Sequence, residues 1–216
     1  NPSGPCNAVS DQMIITIRPL PTVAISGSTT ICSGSSASIT FTGTPNTTVT
    51  YNTSQTINIG PSGTAILNTG ALNANTTYTL NSIVYQTVPV CSRSVTGSAT
   101  ITVNQAAVVN AGIGLTACQS AAPAALTLAG ASVTGGTTSG QWSIVSGGGT
   151  LSNTAFTTTP ATVTYTAAAN FSGVVTLRLT SADPDGAGPC TAIFADRIIT
   201  VNPEATANAG VPQNVC

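Results

Sequence analysis

The chain repeats itself, and the repeat dictates how many structural units it can hold. Residues 4–32 read GPCNAVSDQMIITIRPLPTVAISGSTTIC, and residues 188–216 read GPCTAIFADRIITVNPEATANAGVPQNVC. Both begin at Gly-Pro-Cys, pass through an Ile-Ile-Thr strand and a proline-containing link, and end on Cys. The offset is the same at both cysteines, since 190 − 6 and 216 − 32 are each 184. A weaker third copy, residues 88–118, reads VPVCSRSVTGSATITVNQAAVVNAGIGLTAC, with Cys91 placed 85 residues after Cys6 and 99 before Cys190. One unit therefore recurs with two alternating periods of about 86 and about 98 residues. The agreement of the spacings separates this from chance similarity in a chain of biased composition. The organisation expected is the tail of a preceding domain over 1–18, a complete domain over 19–103, a second over 104–201, and the head of a following domain over 202–216.

Within each unit, apolar residues alternate with period two in short runs. In the first unit this predicts strands near 22–26, 37–42, 47–51, 56–59, 64–68, 77–84 and 96–103. Turn signals at Thr44-Pro45-Asn46, Gly60-Pro61-Ser62-Gly63 and Leu72-Asn73-Ala74-Asn75 separate them. In the second unit the strands fall near 107–110, 125–129, 140–145, 149–151, 161–166, 173–181 and 192–201. Seven short strands with a turn about every ten residues is the pattern of an Ig-like β-sandwich. The predicted fold class is all-β, in tandem disulfide-stapled sandwiches.

Charge narrows the function. Four Arg and five acids are the only charged residues, Lys and His are absent, and the net charge is −1. Nothing here draws the chain to nucleic acid or anionic lipid. Disorder is excluded by the 41% hydrophobic content and the abundance of Thr, Val and Ile. Membrane insertion is not expected, because Thr, Ser, Asn or Gly interrupts every apolar run well short of the roughly 20 residues a spanning helix needs. Without an initiator Met, signal peptide or targeting tail, the segment is expected to be mature or excised.

Six Cys occur without His and without a Cys-x-x-Cys pair, which argues against zinc. Long, regular spacings favour disulfides and an oxidising, extracellular setting. Cys32 and Cys91 flank the first body, Cys118 and Cys190 the second, and they are expected to pair in that way. Cys6 and Cys216 would then pair outside the segment. The alternative joins Cys6 to Cys32 and Cys190 to Cys216 across the links, and leaves Cys91 to Cys118.

Tyr78, six residues after Leu72, fits a tyrosine corner: its ring would enter the core and its hydroxyl return to the backbone. Trp142, the only Trp, is expected in the core near a disulfide; on a surface it would instead stack on a sugar ring. Asp183 and Asp185 concentrate acid in one loop, with Asp196 beyond. Oxygen-rich loops can hold Ca²⁺, but the matching early segment, Asn1-Pro2-Ser3-Gly4-Pro5, lacks both acids, so a solvated turn is favoured and no cofactor is expected. With no His or Lys for base chemistry and no base assigned to any Ser or Thr, no enzyme is expected. Missing Lys also excludes a Lys–Asn isopeptide cross-link. Asn46, Asn52, Asn75 and Asn170 head Asn-x-Ser/Thr sequons, as chance would place them in a Thr/Ser-rich chain.

The run from Thr29 to Pro45 (TTICSGSSASITFTGTP), with Ala74-Asn75-Thr76-Thr77-Tyr78-Thr79-Leu80, resembles the repeats of very large surface adhesins of Bacteroidota, the gliding-motility class. The second unit, with Asn170-Phe171-Ser172-Gly173 and the Asp183-Pro184-Asp185-Gly186 loop, is similar to the PKD-like or cadherin-like repeats that alternate with them. The resemblance implies type IX secretion, cell-surface display as a filament, and attachment to substrata or polysaccharide. The function expected is a structural stalk whose partners are neighbouring repeats of the same chain, joined by semi-rigid links such as Arg18-Pro19-Leu20-Pro21 and Asn202-Pro203-Glu204. Two further readings are a carbohydrate-binding module using Trp142 or Tyr51, with surface polysaccharide as partner, and a subunit whose exposed edge strands pair with like chains.

Overall fold

A computed structural model describes residues 4, 10–210 and 212. Cys6 and Cys216 lie outside them. The strands are β1 (Val23–Ser26), β2 (Thr29–Cys32), β3 (Ser38–Gly43), β4 (Thr47–Tyr51), β5 (Gln55–Ile59), β6 (Thr64–Asn68), β7 (Thr76–Tyr85), β8 (Ser92–Ser94) and β9 (Ser98–Asn104). They continue as β10 (Ala107–Asn110), β11 (Leu115–Cys118), β12 (Leu126–Thr127), β13 (Ser132–Gly135), β14 (Gly140–Ser146), β15 (Thr150–Leu151), β16 (Thr164–Thr166), β17 (Gly173–Ser181) and β18 (Phe194–Asn202). One 3-10 turn, Pro160–Thr162, is the only helical element among the described residues. The chain forms two compact units. One holds the described residues up to Ser28 with Ser38–Thr69 and Thr77–Thr100; the other holds Thr29–Ala37, Gly70–Thr76 and the described residues from Ile101 onward.

In the first unit, β1, β3 and β6 make one antiparallel sheet, while β5, β4 and β7 make a second, with β8 paired to β7. This is the immunoglobulin division of strands, first, second and fifth against the middle and late ones. Strict alternation builds the core. Along β4, Thr47, Val49 and Tyr51 are buried while Thr48 and Thr50 are half-exposed. Side chains of the two sheets meet where the Phe41 ring of β3 lies 5.3 Å from that of Tyr51.

In the second unit, β11, β18, β17 and β14 form a four-stranded sheet; β10–β13 and β12–β16–β15 are the smaller ones. Leu177, Leu179, Ile199 and Val201 point inward from it onto Trp142, Tyr165 and Leu128. The all-β sandwich is therefore the fold, with four strands that alternation did not signal: β2, β8, β11 and β13. Two of them differ in kind from the rest. β2 runs parallel to the end of β9, with Cys32 opposite Asn104, and β11 runs parallel to the end of β18, with Cys118 opposite Asn202.

That pairing overturns the expected disulfides. Cys32 is bonded to Cys190, 158 residues away, and Cys91 and Cys118 are free thiols. The Cys118–Cys190 pair fails because Cys118 sits beside the last residue of β18, while Cys190 precedes the first. Nine residues of strand, about 30 Å, lie between. The Cys32–Cys91 pair fails for a similar reason. The Cys91 carbonyl accepts from Tyr85 N at the end of β7, whereas the Cys32 pairing leads to Val103, whose N–H is taken by Asn75, just ahead of β7.

Candidate functional site

Every residue around the disulfide described below belongs to the second unit. Asn104 is its centre. Its carbonyl accepts from Ser33 N at 2.8 Å, and the bonded Cys190 Sγ rests 3.5 Å from that same oxygen. Its side-chain amide donates to Asp185 Oδ2 at 2.7 Å, which also accepts from Cys190 N at 3.2 Å. One carboxylate oxygen thus holds both the end of β9 and the disulfide-bearing residue. Ser33 Oγ closes the cluster by accepting from Ala106 N at 3.0 Å.

The loop shape follows from its acids and glycines. Asp183 Oδ1 accepts from Asp185 N at 3.1 Å and Gly186 N at 2.9 Å, an Asx turn that aims Asp185 back at Asn104. Gly188 permits this, because a Cβ there would overlap the Asp185 carboxylate. Gly136 works likewise from another side: a Cβ there would overlap the Gln105 carbonyl and lie 2.8 Å from Pro184. The acid loop considered for Ca²⁺ has therefore committed Asp183 Oδ1 and Asp185 Oδ2 to hydrogen bonds. Asp185 Oδ1 is buried without a hydrogen-bond partner among the described residues. No group of three or more His, Cys, Asp or Glu that could hold a metal occurs among those residues.

The other singled-out residues lie elsewhere. Trp142 is 1% exposed, and its indole N–H donates to Pro160 O at 3.1 Å. It packs on the strand core of the second unit and no disulfide adjoins it in that cluster. Tyr51 is buried too. Neither ring offers a face to a sugar, so the carbohydrate reading loses both residues it was built on. Tyr78 is 8% exposed, with its ring 6.3 Å from Tyr51; burial, then the neighbouring Tyr51, raises its pKa. The tyrosine corner is not made there, because the Tyr78 hydroxyl donates no hydrogen bond among the described residues. The hydroxyls that reach backbone are those of Tyr85, to Pro19 O at 3.0 Å, and Tyr165, to Gly148 O.

The few charges are spent on structure. Arg178 and Asp196, opposite one another on β17 and β18, form a two-pronged ion pair at 2.8 and 2.9 Å, with the guanidinium 3.7 Å over the Phe194 ring. The Arg178 hydrogen bond lowers the Asp196 pKa. Arg197 is 1% exposed and donates through Nη1 to the carbonyls of Ala111 and Ala129. Burial lowers its pKa.

Sequence reasoning missed Asn104 and Ser33. A signal was available: Ile-Thr-Val-Asn ends both closing strands, at 101–104 and 199–202, and both asparagines stand opposite a cysteine.

No protein-family model matches this sequence, and no curated protein matches it. Among solved structures, the chain is similar to a protocadherin gammaB7 EC3-6 cis-dimer, at 14% identity and a TM-score of 0.38 over 85% of this chain and 49% of that one. It is also similar to a marsupial T cell receptor, at 13% identity and a TM-score of 0.36 over 87% of this chain and 75% of that one. The chain spans about half the length of the protocadherin it matches. No helix among the described residues is long and apolar enough to cross a membrane.

Proposed function

We propose that the chain is a load-bearing segment of an extracellular adhesin stalk, built from tandem sandwich repeats over 19–103 and 104–201. In this reading it spaces an adhesive tip from the cell surface, as the resemblance to gliding-motility adhesins implies, and it is not an enzyme. The observation that carries the proposal is the Cys32–Cys190 disulfide. Such bonds persist in oxidising, extracellular settings. This one encloses nearly all of both repeats, so tension applied at the two ends passes through the sulfur bridge and bypasses the 158 residues between its cysteines. The Thr-, Ser- and Asn-rich surface with its net charge of −1 suits a spacer that must not adhere along its length.

Pulling a single chain by its ends tests the role. In oxidising buffer the unfolding extension is expected to stop short by the enclosed length. Reductant should release about 540 Å more, at roughly 3.4 Å per residue. Equal extension with and without reductant would count against load-bearing through this bond.

A further inference from the structure

Cys118 stands in the setting of Cys32, one repeat later. Each is the last residue of a four-residue strand parallel to a closing strand, and each faces the asparagine of an Ile-Thr-Val-Asn sequence, Asn104 or Asn202. The residue after each cysteine donates its N–H to that asparagine's carbonyl: Ser33 at 2.8 Å and Gln119 at 2.7 Å. That same residue's side-chain oxygen accepts the N–H two positions past the asparagine: Ser33 Oγ from Ala106 at 3.0 Å, Gln119 Oε1 from Glu204 at 3.1 Å. Cys32 in this setting is bonded, whereas Cys118 is exposed and free. An open cavity of about 370 Å³ lies beside it, lined by Ala117, Pro123, Leu126 and Ala167 among others.

Cys91 mirrors Cys190 on the other side. Asn104 donates to Asp185, five residues before Cys190. Arg18 holds the position equivalent to Asn202, 184 residues earlier. Through Nη1 it donates to the carbonyls of Thr87 and Pro89, just before Cys91, at 2.9 and 3.3 Å, while its guanidinium lies 3.4 Å over the Tyr85 ring. The loop ahead of Cys91 is thus held by the residue that ends the preceding Ile-Thr-Ile strand, as the loop ahead of Cys190 is held by Asn104.

We infer that Cys118 and Cys91 are the two halves of the same bond: Cys118 pairs with the cysteine that occupies the Cys91 position in the next repeat, and Cys91 with one in the Cys118 position of the repeat before. The inference rests on the stalk reading and deepens it by naming the partner. The chemistry is the one that makes Cys32–Cys190. Two thiols lose two protons and two electrons, one S–S bond forms, and a small disulfide oxidant such as oxidised glutathione is cleaved to two thiols. With every junction stapled, the shortest covalent route along the array runs from Cys91 to Cys118, 27 residues, and then crosses a bridge. It spans about 90 Å fully extended, against about 630 Å for an unstapled 184-residue period, roughly a sevenfold cap on extension.

The test is a chain that continues in register, residues 1–216 followed by residues 33–216, refolded with a glutathione redox pair and mapped without reduction. The expected new cross-link joins Cys118 of the first copy to Cys91 of the second. Replacing that first Cys118 (Cys118→Ser) should leave the second Cys91 reactive to maleimide while both Cys190 residues stay bonded. Cys118 recovered as a free thiol, or bonded to Cys91 of its own copy, would overturn the inference while leaving the stalk reading intact. If Cys190 is also found unbonded, the stalk reading fails with it.

Discussion

Replacing Cys32 and Cys190 together with Ala is expected to destabilise the second unit by about 2–5 kcal/mol, read as a lower urea midpoint. The physical source is the denatured chain. A bridge between residues 158 apart removes a large loop-closure entropy from the unfolded ensemble, and the chain-entropy account places such a loop near the top of that range. The folded side adds less, because the Asn104–Asp185 hydrogen bond and the Ser33 bonds would remain to hold the loop. A lengthened denatured chain should also raise the slope of stability against urea, since more surface is exposed on unfolding. A double variant with an unchanged midpoint would mean that the loop is held by its hydrogen bonds alone.

Trp142→Ala is expected to cost the second unit about 3–5 kcal/mol, the range for emptying a buried aromatic site. Trp142 is among the largest fully buried side chains, and it contacts the layer made by Leu177, Leu179 and Ile199. The variant also leaves Pro160 O without its indole donor, an added loss of about 1 kcal/mol. Trp142→Phe refills most of the volume but not that bond, so it should fall between wild type and Ala. Circular dichroism in urea is the appropriate measurement, because the substitution removes the chain's only Trp. An Ala variant within 1 kcal/mol of wild type would contradict the placement of Trp142 in the core.

The strands that the sequence made legible are those whose partners are near in the chain. β3 to β7 fall within about two residues of their predicted spans because antiparallel neighbours, joined by turns at Pro45, Asn52–Thr53 and Gly63, impose alternation on both partners. β2 and β11 were invisible for the opposite reason. Each has four residues, and each pairs in parallel with a strand some 70 to 85 residues further on. No turn chemistry announces such a pairing, and four residues are too few for periodicity to emerge. Those two strands carry Cys32 and Cys118, so the error in the strands became the error in the disulfides. Symmetric spacing around each body suggested a clamp across it. The parallel strands instead carry each cysteine to the end of a closing strand. The site was half legible: the acid loop stood out by its composition, but its use depends on Asn104 and on Gly188, which have no distinguishing chemistry in sequence. Arg197 illustrates the same limit, since a charged residue in an alternating strand gives no sign that two loop carbonyls, of Ala111 and Ala129, wait for it inside.

The central claim, a covalent bridge that closes over the repeats rather than a clamp within each, is tested most directly by mapping disulfides in the oxidised 216-residue chain. Trypsin cuts after Arg93, Arg178 and Arg197, with Pro19 protecting Arg18, and a second cut at Tyr51 separates Cys32 from Cys91. The expected product links the Cys32 fragment to the 179–197 fragment that carries Cys190. A Cys32 fragment linked to Cys91, with Cys118 linked to Cys190, would contradict it.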